Sequence, residues 1–117
     1  MNIVKYFGAL DARTAAVASA LLAALAAVPA SAGDIDVGKG KAQSCAMCHG
    51  ANGISQMPGA PNLAGQPAIY VVEQLKHFRN GSRSNEIMNV IAKPLSDTDI
   101  SELAAWYESV KIVVQAP

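Results

Sequence analysis

Cys45-Ala46-Met47-Cys48-His49 is the stretch whose reading decides the fold. Two cysteines three positions apart, followed at once by a histidine, form an attachment motif for c-type haem. On one turn of backbone, two thiols reach the two vinyl groups of a porphyrin and close two thioethers, and the next side chain then lies under the iron. The sequence therefore predicts one covalent haem c on Cys45 and Cys48, with the His49 imidazole as an axial ligand of the iron. The His49 Nδ1 should donate to a backbone carbonyl, which fixes the ring. Two other roles for the cysteines fit less well. A redox-active disulfide needs a strand-helix-strand setting, and no alternating strand pattern follows. Half of a zinc site would need His49 and His77, and neighbours such as Cys48 and His49 seldom chelate one tetrahedral metal.

Upstream, Lys5 and Arg13 form a weakly basic start, residues 15–28 are almost wholly Ala, Val and Leu, and Ala30-Ser31-Ala32 is a small-x-small cleavage pattern. Residues 1–32 read as a secretory signal peptide, cut after Ala32. The apolar run falls short of the roughly 20 residues that a membrane span needs, so no stable membrane insertion is expected after removal. Residues 33–117 then form a single domain in the periplasm. A domain of this size sits near the lower limit for a self-sufficient core, and a flat, apolar, covalent group would supply both cross-link and core volume. The full chain of 117 residues has nine basic and nine acidic side chains, with no basic run to suggest nucleic acid.

Downstream, residues 34–38 read as an acidic lead-in and residues 38–44 as a short helix. Residues 50–65 hold Gly50, Gly53, Pro58, Gly59, Pro61 and Gly65 and read as a loop long enough to wrap a haem. A helix is expected over residues 67–78, with Ile69, Val72 and Leu75 on its apolar face and Asn80-Gly81 as its stop. Residues 82–94 suggest a short helical turn or loop. Ser96-Asp97-Thr98-Asp99 resembles a capping box with Asp for Glu, starting a last helix whose stripe is Ile100, Leu103, Ala104, Tyr107 and Val110. Residues 112–114 read as a frayed continuation. The fold class is all-α, three to five short helices around one cofactor.

For the second axial ligand the candidates are Met47, Met57, Met88 and His77. Met47 lies inside the attachment turn and cannot cross the porphyrin. Met57 sits in the loop soon after the motif, and His77 falls inside a helix. Met88 lies 39 residues beyond His49, far enough for the chain to pass to the opposite face, and thioether ligation is well attested in haem carriers; Met88 is favoured. Arg79 and Arg83 read as propionate partners or solvated side chains, and Tyr70 and Tyr107 as core.

With these pieces assembled, residues 38–110 resemble the small bacterial class I cytochromes c, whose relatives occur as single domains and as tandem diheme proteins. The resemblance rests on Gly38-Lys39, Cys45-Ala46-Met47-Cys48-His49-Gly50, Pro61-Asn62-Leu63-Ala64-Gly65-Gln66, Gln74-Leu75-Lys76-His77-Phe78-Arg79-Asn80-Gly81, Met88, Leu95-Ser96-Asp97-Thr98-Asp99-Ile100 and Leu103-Ala104-Ala105-Trp106-Tyr107. It implies that Met88 binds iron, that the Pro61 carbonyl accepts the His49 Nδ1 proton, that Leu63 packs on the haem face, and that Gly38 meets the Trp106-Tyr107 region where first and last helices cross. Trp106 departs from the aliphatic residue or alanine often found there.

The expected function is a soluble one-electron carrier, not an enzyme, because filled axial positions leave no place for substrate. It is expected to be a monomer that meets redox donors and acceptors by transient docking, steered weakly at near-zero charge. The alternatives are a five-coordinate haem protein that binds gas or peroxide, and a dedicated electron-transfer subunit of a dehydrogenase or oxidase complex.

Overall fold

The structure is a computed structural model that describes residues 32–116; the expected signal segment lies, but for Ala32, outside the described residues. Helix α1 spans Ala32–Lys41 and runs through a single 3-10 turn, Ala42–Ser44, into the four-residue helix α2, Ala46–His49. A loop over residues 50–67 leads to α3, Ala68–Asn80. Two more helices follow, α4 over Glu86–Ala92 and α5 over Asp97–Ser109. No strand occurs among the described residues, so the fold is all-α.

The capping box at α5 is complete. The Ser96 hydroxyl accepts from the Asp99 N–H at 3.0 Å, and the Asp99 carboxylate accepts from the Ser96 N–H at 2.8 Å, which satisfies two backbone donors that a helix start would otherwise leave open. Of the predicted stripe, Ile100, Leu103, Ala104 and Tyr107 are buried. Ala42, Leu103 and Tyr107 form the centre of the core, with Cys45, Leu63, Leu75, Leu95 and Trp106 packed against it. Full burial of a side chain the size of Ile100 contributes about 1.5–3 kcal/mol.

Three expectations need correction. The acidic lead-in is helical from Ala32, because this segment docks on α5, and tertiary packing outweighs the low intrinsic helicity of its glycines. The inward face of α3 carries Val71, Leu75 and Phe78, while Ile69 is 72% exposed; the run Ala68-Ile69-Tyr70-Val71-Val72 is apolar around most of a turn, so periodicity alone did not single out the buried side. Residues 112–114 do not extend α5: the chain leaves the helix at Val110 with extended angles and these side chains are exposed.

Helix α5 and the residues leading into it tie down α1, the Gly65 turn and both ends of α3. Lys41, at the end of α1, pairs with both Asp99 and Glu102. The Gly65 N–H donates to the Tyr107 carbonyl at 2.8 Å. At the two ends of α3, the Ala68 N–H donates to the Glu108 carboxylate at 2.8 Å, and Arg79 donates to the Leu95 carbonyl at 2.9 Å and to Asp97 at 2.6 Å. The Lys41 ammonium and the capping hydrogen bonds from Ser96 hold the Asp99 carboxyl below its ordinary 3.8, and the Arg79 guanidinium does the same for Asp97. A carboxyl lowered by folding stabilises the fold above its unfolded value, and that contribution disappears as pH falls through the folded one. Stability should therefore drop as pH falls below about 4, and Asp99→Asn should flatten part of that drop in thermal melts taken from pH 6 to pH 2. An equally steep drop in the variant would remove Asp99 from the account. Lys41 is raised above its ordinary 10.5, chiefly by Asp99, so its contribution is complete below that value and is lost only at higher pH.

Candidate functional site

One turn of α2 assembles the attachment motif. The His49 N–H donates to the Cys45 carbonyl at 3.0 Å and the Gly50 N–H to the Ala46 carbonyl at 2.9 Å. Residues three and four apart on a helical turn share a side, so Cys45, Cys48 and His49 project together. Neither cysteine is in a disulfide, and both are of intermediate exposure. His49 is buried, and its Nδ1 lies 2.8 Å from the Pro61 carbonyl oxygen. A carbonyl oxygen only accepts, so Nδ1 carries the proton and Nε2 keeps the lone pair that a metal needs.

The loop that delivers Pro61 is closed by its own backbone. The Gly53 carbonyl accepts from both the Leu63 and Ala64 N–H groups, at 2.7 and 3.0 Å. Gly53 has φ +77°, and a Cβ there would stand 2.6 Å from the Ala64 nitrogen and 3.0 Å from the Tyr107 ring; only glycine permits the approach. Ser55 adds a second closure, donating to the Cys48 carbonyl at 2.8 Å while its N–H donates to the Asn62 side chain at 2.7 Å. Ser55 has no mark in the sequence, and Asn62 stands only within the Pro61–Gln66 stretch of the family resemblance, with no role attached. Short polar residues seven apart in a loop give no local signal until the fold brings them together.

Met88 lies in the first turn of α4, which Asn85 caps: its side-chain oxygen accepts from the Ile87 and Met88 N–H groups at 3.1 and 2.9 Å. Leu63 is half-buried against the core. Met47 is 86% exposed, Met57 lies exposed in the loop and His77 is exposed on α3. Arg83 sits over the Phe78 ring at 4.5 Å and donates to Gln74, so both Arg79 and Arg83 have partners within the chain. Tyr107 is core, but Tyr70 is 44% exposed, contrary to the expectation that it packs inside. Burial pushes the Tyr107 hydroxyl up from its ordinary 10.0, and the neighbouring Cys45 adds to the shift. Among the described residues no cluster of three His, Cys, Asp or Glu is placed to hold a metal ion.

Two thiols and a tautomer-fixed imidazole on one turn fit the attachment of a haem c. Apolar side chains left facing outward on the surrounding elements (Ile54 and Met57 in the loop, Ile69 on α3, Ile87 and Ile91 on α4) suit a flat apolar group as well.

Residues 35–111 match the family described as Cytochrome c. The chain belongs to the cytochrome c family. Its relatives include cytochrome c-554(548) of Halomonas halodenitrificans, 41% identical over 81 residues, covering 67% of this chain and 98% of that protein. A protein named thiosulfate dehydrogenase electron acceptor, from Thiomonas intermedia (strain K12), is 43% identical over 72 residues, covering 61% of this chain and 33% of that one. In structure the chain is similar to reduced recombinant cytochrome c4 from Pseudomonas stutzeri, with a TM-score of 0.62 at 36% identity, over 66% of this chain and 45% of that one. The chain thus spans less than half the length of several relatives and nearly all of one. Cys45, Cys48 and His49 fit the family's Cys-x-x-Cys-His motif for covalent haem c.

Proposed function

We propose that residues 33–117 form a monomeric, exported one-electron carrier holding one haem c through Cys45 and Cys48, with His49 and Met88 as the two axial ligands. The observation that supports this reading most is the His49 imidazole, buried and held by Pro61 in the same turn that carries both thiols. Haem c supplies a reversible one-electron change at iron when bound. The chain's own part is to hold and to insulate. Pro61 fixes the His49 tautomer, Met88 offers a soft thioether from a capped helix, and Leu63 gives an apolar wall. A thioether ligand and apolar surroundings both favour the lower charge of ferrous iron, which sets a positive potential. With both axial positions taken by side chains, the chain carries electrons and turns over no substrate.

Residues 1–32 act as the export signal, and no helix among the described residues is long and apolar enough to cross a membrane. Partners are redox proteins met in brief contacts. Residues 33–117 hold seven basic and eight acidic side chains, a net charge of −1, so rates should change little with salt. The name of the Thiomonas relative supports a second reading, in which the carrier serves one dehydrogenase; co-purification with a larger enzyme from the native periplasm would favour it over a general carrier.

The test is the mass and spectrum of the exported protein. The reading expects a red protein starting at Gly33 and heavier than the bare polypeptide by one haem, with the weak red absorption band of ferric iron bound to a thioether. A colourless product with the mass of the bare chain would overturn it.

A further inference from the structure

We propose that Asn85 and Asn89 are positioning residues for Met88, clamping the backbone of the first turn of α4 so that its thioether stays at one height and direction. This rests on the reading of Met88 as the second ligand of the iron. Five hydrogen bonds converge on that turn. The Asn85 side chain accepts from the Met88 N–H itself, at 2.9 Å, and from the Ile87 N–H at 3.1 Å. On the other side of Met88, Asn89 spends its whole amide. Its Nδ2 donates to the Phe78 carbonyl at 2.6 Å and to the Arg83 carbonyl at 2.9 Å, and its Oδ1 accepts from the Asn85 N–H at 2.7 Å.

Phe78 lies in the last turn of α3 and is buried, and carbonyls of a last helical turn lack intrahelical partners. Asn89 therefore ties α4 to a rigid anchor rather than to a free loop, and it also spans the connection at Arg83. Helix α4 has seven residues, too few to hold its own geometry in water. An iron–thioether bond must compete with water and other small ligands, and a turn that drifts gives them time at the iron.

The two asparagines lose different contacts on substitution. Asn85→Asp keeps the accepting oxygen, whereas Asn85→Ala removes it. Asn89→Ala removes both donors and the acceptor.

The experiment titrates the ferric holoprotein with imidazole and follows the red thioether band, in the wild type and in Asn89→Ala, Asn85→Ala, Asn85→Asp and Met88→Ala. Ser96→Ala, which weakens the cap of α5, serves as a control for general destabilisation. Thermal melts give the temperature at which all are folded. We expect Asn89→Ala and Asn85→Ala to bind imidazole about tenfold more tightly than wild type, the scale set by losing two or three ordinary hydrogen bonds from the competing state, with a weakened red band. Asn85→Asp should match the wild type, and Ser96→Ala should melt earlier with unchanged imidazole affinity. If Met88→Ala keeps the band and the affinity of the wild type, the ligand reading fails and this role falls with it. If Met88→Ala loses the band while both alanine variants bind imidazole as Ser96→Ala does, the ligand reading stands and the positioning role alone is overturned.

Discussion

Gly38→Ala and Gly40→Ala, two residues apart on α1, should move stability in opposite directions. A Cβ on Gly38 would stand 2.0 Å from the Glu102 carbonyl oxygen, 2.6 Å from its carbon and 3.1 Å from the Trp106 Cβ. Two of those three atoms are backbone, so no rotamer change makes room. The helices would have to part, and the Lys41 pairs to Asp99 and Glu102 lie just beyond the contact. The cost should reach or exceed the ~3 kcal/mol at the upper end of ordinary overpacking, which is about 12–24 °C in melting temperature for a domain of this size. A Cβ on Gly40 meets nothing within 4 Å, so Gly40→Ala should gain a few tenths to about 1 kcal/mol from helix propensity. Chemical denaturation of the two holoproteins measures both. Equal tolerance at the two sites would show that α1 and α5 do not pack as described.

Met88→Ala should open the iron to outside ligands. If the thioether is bound in about 99 of 100 molecules, one in a hundred is open at any moment, and removing the competitor raises the apparent affinity for carbon monoxide about 100-fold. The ferric red band should vanish, and the midpoint potential should fall, since a thioether favours ferrous iron. The wild-type ferrous protein should bind carbon monoxide slowly and weakly. If it instead binds rapidly and the variant is no different, the sixth position was never closed by Met88 and the carrier reading gives way. Met57→Ala, in the loop, should leave all three measurements unchanged.

Where the signal is local, the sequence told the fold well. The capping box at Ser96 and the stop at Gly81, whose φ is +82°, are both set by side chains or backbone within four residues, and both stand in the structure as read. The contact of Gly38 with the Trp106 region came from the family resemblance, and it is present. The misses share a cause. Helix α1 starts earlier than composition allows because α5 supports it. The apolar run at the start of α3 offered Ile69 as readily as Val71, and only packing decides between them. The Cys-x-x-Cys-His motif displays the attachment turn in five letters, but the polar residues that brace its surroundings carry no such mark. Ser55, Asn62, Asn85 and Asn89 are short polar side chains in or near loops, a setting where solvated residues are the rule. Asn85 did have a readable cue, an N-cap residue just ahead of Ile87-Met88; Asn89, two residues beyond Ile87, did not.

The long-range ties of α1, of the Gly65 turn and of both ends of α3 meet on the segment from Leu95 to Glu108, which follows all of them along the chain. Until that segment is made, Lys41 lacks Asp99 and Glu102, the Gly65 N–H lacks the Tyr107 carbonyl, and α3 lacks its bonds to Glu108, Leu95 and Asp97. Lys41 and Asp99 are 58 positions apart, and joining points so distant along a chain is slow. A nascent chain of this design stays threadable until residues 95–108 have been made. For a polypeptide read as passing through a translocation pore before it folds, a latch that follows the elements it fastens cannot snap shut too early.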